Sequence, residues 1–356
     1  MGCCRLSRLG CCQDADEGGG RATAGDVGVK EEEEEEEVPQ GRCLNLTGCH
    51  LHDLGDVDIP EDLVELDLTD NRISKLDPRI GHLAQLRKLS LERNLFDDED
   101  VYPISRWHTV DGLIELILRD NKLRTIPDVS IFKSLTVFDA SFNVISSLSG
   151  LSKVSKTLKK LYVSHNEINK VEELEHLHSL QILELGANRL RVMENLQTLT
   201  SLQELYLEQN HIRIVNLCGL NCVEKIDLQS NRLTSMMGFQ ECVALEELHP
   251  SHNGIQKMEG LSTLENLRLL DISSNKLTAI SYIEKLTRLD ELWLNDNQIA
   301  SLEGIDQSVY GSRERLTTIY LERNPCASLP DYSIILRKIF PNLQQIDSDI
   351  FMSGIG

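Results

Sequence analysis

One short pattern recurs along most of the chain and limits the folds that it can adopt. The pattern is leucine, any residue, leucine, two residues, asparagine, any residue and an apolar residue, as in LDLTDNRI at Leu66–Ile73. Cys49 stands at the asparagine position of the first copy, and later copies follow at intervals of 21 to 27 residues. The asparagines are Asn71, Asn94, Asn121, Asn143, Asn166, Asn188, Asn210, Asn231, Asn253, Asn275, Asn297 and Asn324.

This pattern and its period are the signature of leucine-rich repeats, in which each unit supplies a short strand and a return turn. A single unit cannot bury its own leucines, so successive units must stack. The sequence therefore predicts an α/β fold, a curved leucine-rich repeat solenoid of about 13 repeats with a parallel β-sheet on its concave face. We expect each asparagine to point inward and to bind backbone groups, because a buried amide must be satisfied.

Composition divides the chain into three parts. Residues 1–42 contain Gly18–Gly20 and the acidic run Glu31–Glu37, which offer nothing to bury and favour a disordered tail. Residues 43–330 form the repeat domain. Residues 331–356 are predicted to cap it, with a helix at Asp331–Phe340 that covers the leucines of the last repeat.

Three local departures from the repeat are also informative. Two longer intervals insert about five residues each, one around Trp107 and one around Tyr310. Both insertions are expected to bulge from the convex or edge surface. Pro250 replaces a core leucine, and its missing N–H should interrupt one bond of the strand ladder.

The charge of the chain indicates what kind of partner it can bind. The net charge is −21, of which residues 1–42 carry −6, so about −15 remains on the repeats. This field opposes nucleic acid binding and favours a basic protein partner. The histidines are scattered without metal-ligand spacing, and no catalytic motif is present, so we expect neither a cofactor, nor a metal, nor an enzyme.

The N-terminus leaves the cellular location open. Gly2, Cys3 and Cys4 suggest myristoylation and palmitoylation, although Leu6 stands where the motif requires serine or threonine. No apolar run is long enough to span a membrane, and the cysteines lack the clustering of secreted repeat caps. The alternatives are a protein of the nucleus and cytoplasm and a membrane-anchored recognition module.

Strand alternation identifies the residues that face a partner. The two leucines of each strand point inward, so the residue between them and the residue before them point to the concave surface. Ten of these outward residues are acids and only three are lysines, and four are large aromatic residues, the kind that dominates binding energies at interfaces. The predicted partner-binding residues are Asp139, Tyr162, Glu184, Glu204, Tyr206, Asp227, Asp271, Glu291, Trp293 and Tyr320.

From about Asn166 to Asp347 the chain resembles the protein phosphatase 1 regulatory subunit 7 family. The resemblance rests on LELGANRLR, LQSNRLT, SHNGIQKMEGL, LDISSNKL, ELWLNDN, YLERNP and PNLQQID. It implies a non-enzymatic protein that binds the catalytic subunit of the type 1 Ser/Thr phosphatase on its concave face and holds it in an inactive or maturing state. We also expect the protein to be a monomer when free. The contact positions of the family fall here on Asp139, Tyr162, Glu184, Tyr206, Asp271, Glu291, Trp293 and Tyr320.

Overall fold

The computed structural model describes residues 9–11 and 41–351. In these ranges the strands form a single sheet in chain order, in which the first and the last pair of strands are antiparallel and all the other pairs are parallel. The strands are β1 (Leu9–Cys11), β2 (Arg42–Asn45), β3 (Leu63–Asp67), β4 (Lys88–Ser90), β5 (Glu115–Ile117), β6 (Val137–Asp139), β7 (Lys160–Tyr162), β8 (Ile182–Glu184), β9 (Glu204–Tyr206), β10 (Lys225–Asp227), β11 (Glu247–His249), β12 (Leu269–Asp271), β13 (Glu291–Trp293), β14 (Thr318–Tyr320), β15 (Gln345–Ile346) and β16 (Asp349–Ile350).

Helices are short and lie between the strands or after them. They are α1 (Asp98–Val101), α2 (Ile305–Ser308) and α3 (Tyr332–Ile339), with 3-10 turns at Ile80–His82, Tyr102–Arg106, Leu151–Lys153 and Pro325–Ser328. Within the described ranges, these helices are too short or too polar to cross a bilayer. The predicted leucine-rich repeat solenoid with its parallel sheet is confirmed.

The core is a continuous column of leucines. In β9, Leu205 is fully buried, whereas the flanking Glu204 and Tyr206 stay partly exposed. The same alternation recurs in β8, β10 and β13, because each of these strands carries an apolar residue at its central position. Burial of one such leucine contributes about 1.5–3 kcal/mol to the free energy of folding. Each repeat therefore adds its own buried leucines to a core that all the repeats form together.

The repeat asparagines join each unit to the previous one. The amide nitrogen of Asn188 donates to the carbonyl oxygens of Leu185 and Gly186 in its own turn, at 3.0 and 3.2 Å. It also donates to the carbonyl of Val163, one repeat earlier, at 2.9 Å. Its amide oxygen accepts from the N–H of Ile168 at 3.0 Å. Each of the other eleven has an equivalent set of partners, which confirms the structural role predicted for these residues.

The residue before each asparagine takes a left-handed backbone conformation. Phe142, His165 and Gln209 have φ values of 55, 52 and 53°, although none is glycine. The N–H of Phe142 donates to the carbonyl of Ser164 in the next repeat at 2.9 Å, and the equivalent bond recurs along the stack. This hydrogen bond offsets the cost of the unfavourable conformation.

Pro250 interrupts the ladder as predicted. The N–H of Leu228 donates to the carbonyl of His249, and that of Ile272 donates to Trp293. Pro250 occupies the intervening donor position and has no N–H. Strands β11 and β12 accordingly pair through two residues, whereas β12 and β13 pair through three.

The two insertions differ in how they pack. Trp107 follows α1 and the next 3-10 turn, is only 6% exposed and lies so close to Gly81 that a Cβ there would collide with the indole. The first insertion is therefore anchored in the core. Tyr310 follows α2 and is 77% exposed, so its ring projects from the surface. The buried side chains of Ile305 and Val309 hold the second insertion in place.

The C-terminal cap begins as expected with a helix, one residue later than predicted and ending one residue earlier. Leu336 and Phe340 are fully buried against the last repeat, and the hydroxyl of Tyr332 donates to Asp347 at 2.9 Å. Two features were not predicted. Strand β15 extends the parallel sheet into the cap, and β16 pairs antiparallel with β15, which covers an otherwise unpaired edge.

The predicted tail, residues 1–42, is described only at Leu9–Cys11, Gly41 and Arg42. Leu9–Cys11 form β1, which pairs antiparallel with β2, where the sequence predicted no regular structure. A strand at this place satisfies the backbone groups on the first edge of the sheet. The lipidation positions Gly2, Cys3 and Cys4 and the run Glu31–Glu37 lie outside the described residues.

Candidate protein-binding face

The concave face is formed by the outward residues of the strands, and all ten predicted residues lie on it. They run from β6 to β14, where the register aligns Asp271, Trp293 and Tyr320 side by side on consecutive strands. Eight of the ten are partly exposed. Asp139 and Asp271 are the exceptions, at 9% and 8% exposed. The stack thus brings the predicted residues onto one continuous surface.

An aromatic cluster occupies the C-terminal end of this face. The rings of Trp293 and Tyr320 meet edge to face, with centroids 5.5 Å apart and an interplanar angle of 78°. The indole N–H of Trp293 donates to Glu291 at 3.1 Å. The Tyr320 hydroxyl accepts from the side-chain amide of Gln345 at 2.7 Å. These contacts hold both rings in fixed positions while part of each remains accessible to a partner.

Gln345 also lies on the concave face, which was not predicted for a cap that was expected only to cover the core. The residue precedes Ile346 in β15 as Thr318 precedes Ile319 in β14, and the two strands pair in that register. The same inward and outward alternation, continued into PNLQQID, would have placed Gln345 on the concave face.

The centre of the face combines an aromatic ring with paired charges. The Tyr206 hydroxyl donates to Glu204 at 2.6 Å. Burial and this hydrogen bond to a carboxylate both raise the pKa of Tyr206, so the phenol stays protonated at neutral pH. Lys225 lies 6.0 Å from the centroid of the Tyr206 ring and 2.9 Å from Glu247. The local excess of acids is therefore partly balanced by one lysine.

The aspartates of the face also serve the turns that follow their strands. The carboxylate of Asp139 accepts from the N–H of Ser141 at 2.8 Å. That of Asp271 accepts from the N–H and the hydroxyl of Ser273 at 3.0 and 2.6 Å. Burial raises the pKa of Asp139 despite these bonds. The side chains of Asp139 and Asp271 are thus less accessible to a partner than the partly exposed glutamates of the face, a difference that strand alternation does not reveal.

A further row of outward residues lies immediately after the second leucine of each strand. It includes Glu92, Arg119 and Glu208, none of which is among the predicted partner-binding residues. Arg119 pairs with Glu92 at 3.5 Å and stacks over Phe142 at 4.3 Å. Phe142 in turn stacks on His165, with centroids 3.9 Å apart. Alternation extended by one residue would have found this row.

Glu208 is an acid of this row whose protonation changes with pH near neutrality. Its carboxylate packs over Gly186, where a Cβ would collide with it. One carboxylate oxygen is buried and has no hydrogen-bond partner within residues 41–351. Burial, together with the nearby carboxylates of Asp227 and Glu184, raises the pKa of Glu208 to about 6. The negative charge at Glu208 on the concave face therefore increases as pH rises through this value.

Comparison with known proteins supports the leucine-rich repeat fold of this chain. The family described as leucine-rich repeats (2 copies) matches residues 265–307. An internalin, inlF, of Listeria monocytogenes superimposes with a TM-score of 0.64 at 20% identity, covering 73% of this chain and 74% of that one. The functional domain of InlJ from the same organism gives a TM-score of 0.61 at 21% identity, covering 78% and 58%. At these identities the likeness concerns the fold alone.

A sequence relative extends over nearly the whole chain. It is the protein phosphatase 1 regulatory inhibitor subunit PPP1R7 homolog of Arabidopsis thaliana, 62% identical over 323 residues. The match covers 90% of this chain and 98% of the relative. The chain therefore belongs to the PPP1R7 family of leucine-rich repeat proteins.

Proposed function

We propose that this protein is a non-catalytic regulatory subunit that binds the catalytic subunit of type 1 Ser/Thr phosphatase through its concave face. The observation that carries the proposal is the relative of nearly equal length, which is named as a regulatory inhibitor subunit of that phosphatase. The outward position of the ten residues on one surface supports the choice of this face. The protein would modulate the activity or maturation of the phosphatase by occupying part of its surface.

The aromatic cluster of Trp293 and Tyr320 is proposed as the centre of the interface. Large aromatic side chains that are held in place and partly exposed lose little conformational freedom on binding. From β9 to β14 the strands are spaced by about 4.8 Å, so the face covers roughly 25–30 Å. This length matches a standard protein interface.

The glutamates around the cluster would select a basic surface on the phosphatase. Glu184, Glu204 and Glu291 are partly exposed acids of this face, and none has a basic partner within residues 41–351. Complementary charge increases the rate of encounter and opposes wrong partners. A location in the nucleus and cytoplasm and a monomeric free state belong to the same proposal.

The test is direct binding of the purified catalytic subunit to the purified full chain. A double charge reversal, Glu184→Lys with Glu204→Lys, should weaken binding at least about tenfold, because two attractive contacts become repulsive. The matched control is Glu265→Lys with Glu303→Lys, which changes the net charge equally at exposed positions outside the strands. No binding by the wild type, or equal losses in both double variants, would refute the proposal.

A further inference from the structure

A second surface lies outside the concave face, where the chain leaves the strands of three successive repeats. Its residues follow the repeat asparagines, so they stand beyond β8, β9 and β10. They enclose a groove of about 600 Å³ that contains Arg191, Arg213 and Arg232. Val192 and Ile214 line the same groove.

The charge of this groove is opposite to that of the protein. The chain carries a net charge of −21, yet three exposed arginines line one groove. None of the three forms an ion pair within residues 41–351, whereas nearby Arg189 pairs with Glu167 at 2.6 Å. Unpaired guanidinium groups that share a groove repel one another, and an anionic ligand would remove that repulsion.

The groove also exposes apolar side chains. Val192 is 55% and Ile214 is 74% exposed, although both are branched aliphatic residues. Each stands four residues after its repeat asparagine, Asn188 or Asn210, so the two occupy equivalent positions in adjacent repeats. Equivalent positions of a solenoid stack side by side, which makes these side chains neighbours along the groove.

From this combination we propose that the groove binds a segment of a partner protein that contains both acidic and aliphatic side chains. Arginine binds carboxylates through two parallel hydrogen bonds, and Val192 and Ile214 would cover the aliphatic side chains of the segment. A bare phosphate backbone would leave Val192 and Ile214 in water, and the acidic protein would repel it. The groove shares no residue with the concave face, so both surfaces can be occupied together.

The test uses a fluorescein-labelled synthetic peptide of alternating glutamate and leucine, with a glutamine and leucine peptide for comparison. Anisotropy should report binding of the acidic peptide to the full chain and weaker binding of the neutral one. Arg191→Glu with Arg213→Glu should weaken the acidic peptide at least about tenfold. Arg72→Glu with Lys75→Glu is the matched control, because both residues follow a repeat asparagine, are exposed and lie far from the groove, and the pair changes the net charge equally.

Two further variants separate the contributions of charge and apolar contact. Ile214→Ser should weaken the peptide severalfold, whereas Val144→Ser, at an exposed valine of another repeat, should leave affinity unchanged. Circular dichroism confirms that each variant is folded. Undetectable binding of the acidic peptide, or equal affinity in the reversal variant and the wild type, would overturn the proposal. Tighter binding to anionic lipid vesicles or to RNA than to the peptide would also overturn it.

Discussion

Replacement of Trp293 tests the proposed interface most directly. Under the proposed function, Trp293→Ala removes the central aromatic contact with the phosphatase, and truncation of such a residue typically costs about 2 kcal/mol or more, roughly a thirtyfold increase in Kd. The change also removes two contacts within the free protein, the edge-to-face packing on Tyr320 and the hydrogen bond to Glu291. Each is worth roughly 0.5–1.5 kcal/mol, less where solvent reaches the groups. The free energy of unfolding should therefore fall by about 1–2 kcal/mol.

Two measurements separate these effects. Calorimetric titration with the catalytic subunit gives Kd, and urea denaturation gives the stability of the free chain. Trp293→Phe should retain the ring packing and lose the hydrogen bond, so its Kd should lie between those of the wild type and Trp293→Ala. Tyr310→Ala controls for the loss of an exposed aromatic ring elsewhere, since Tyr310 projects from the second insertion. An unchanged Kd in folded Trp293→Ala would refute the placement of the interface.

Three other predictions concern charge and backbone. Above pH 6, Glu208→Gln should raise the free energy of unfolding by about 1 kcal/mol, after allowance for solvent screening. The folded state raises the pKa of the Glu208 carboxyl to about 6, so ionisation of the wild-type side chain opposes folding. This gain in stability should vanish below pH 4.5, the ordinary pKa of a glutamate. Thermal melts across a range of pH measure the gain, with Glu322→Gln as the control at an exposed glutamate. The association rate with the phosphatase should fall as salt rises, and stopped-flow measurements that show no salt dependence would contradict steering by the acidic face. Pro250→Leu should restore a donor opposite the carbonyl of Asp271 and raise the urea midpoint; an unchanged or lower midpoint would show that the interrupted ladder is not a weak point.

The strand positions could be predicted because their determinants are local and repeated. Two leucines separated by one residue define which side chains of a strand are buried, and the following asparagine marks the turn. The outward residues such as Tyr206 and Trp293 follow from that alternation alone. The helix of the cap could also be predicted, since Leu336 and Phe340 recur at helical spacing before Pro341.

What could not be predicted depends on contacts between repeats. The burial of Asp139 reflects its hydrogen bond to the following turn and the packing of neighbouring side chains, which a single strand does not encode. The raised pKa of Glu208 arises from its place over Gly186 beside two other acids. Strand β1 pairs with a segment about thirty residues later, and no repeat unit specifies that pairing.

The asparagine contacts make the interfaces between successive repeats equivalent to one another. Each amide nitrogen lies within hydrogen-bond distance of the same three carbonyl oxygens, and each amide oxygen accepts the same bond, whichever pair of units it joins. An excision that begins after one repeat asparagine and ends at the next would leave every remaining amide with a full set of partners. Such a chain would shorten by one strand spacing, about 4.8 Å, and keep the interfaces between its repeats. Evolution can therefore change the number of units and the residues of the concave face as two separate variables.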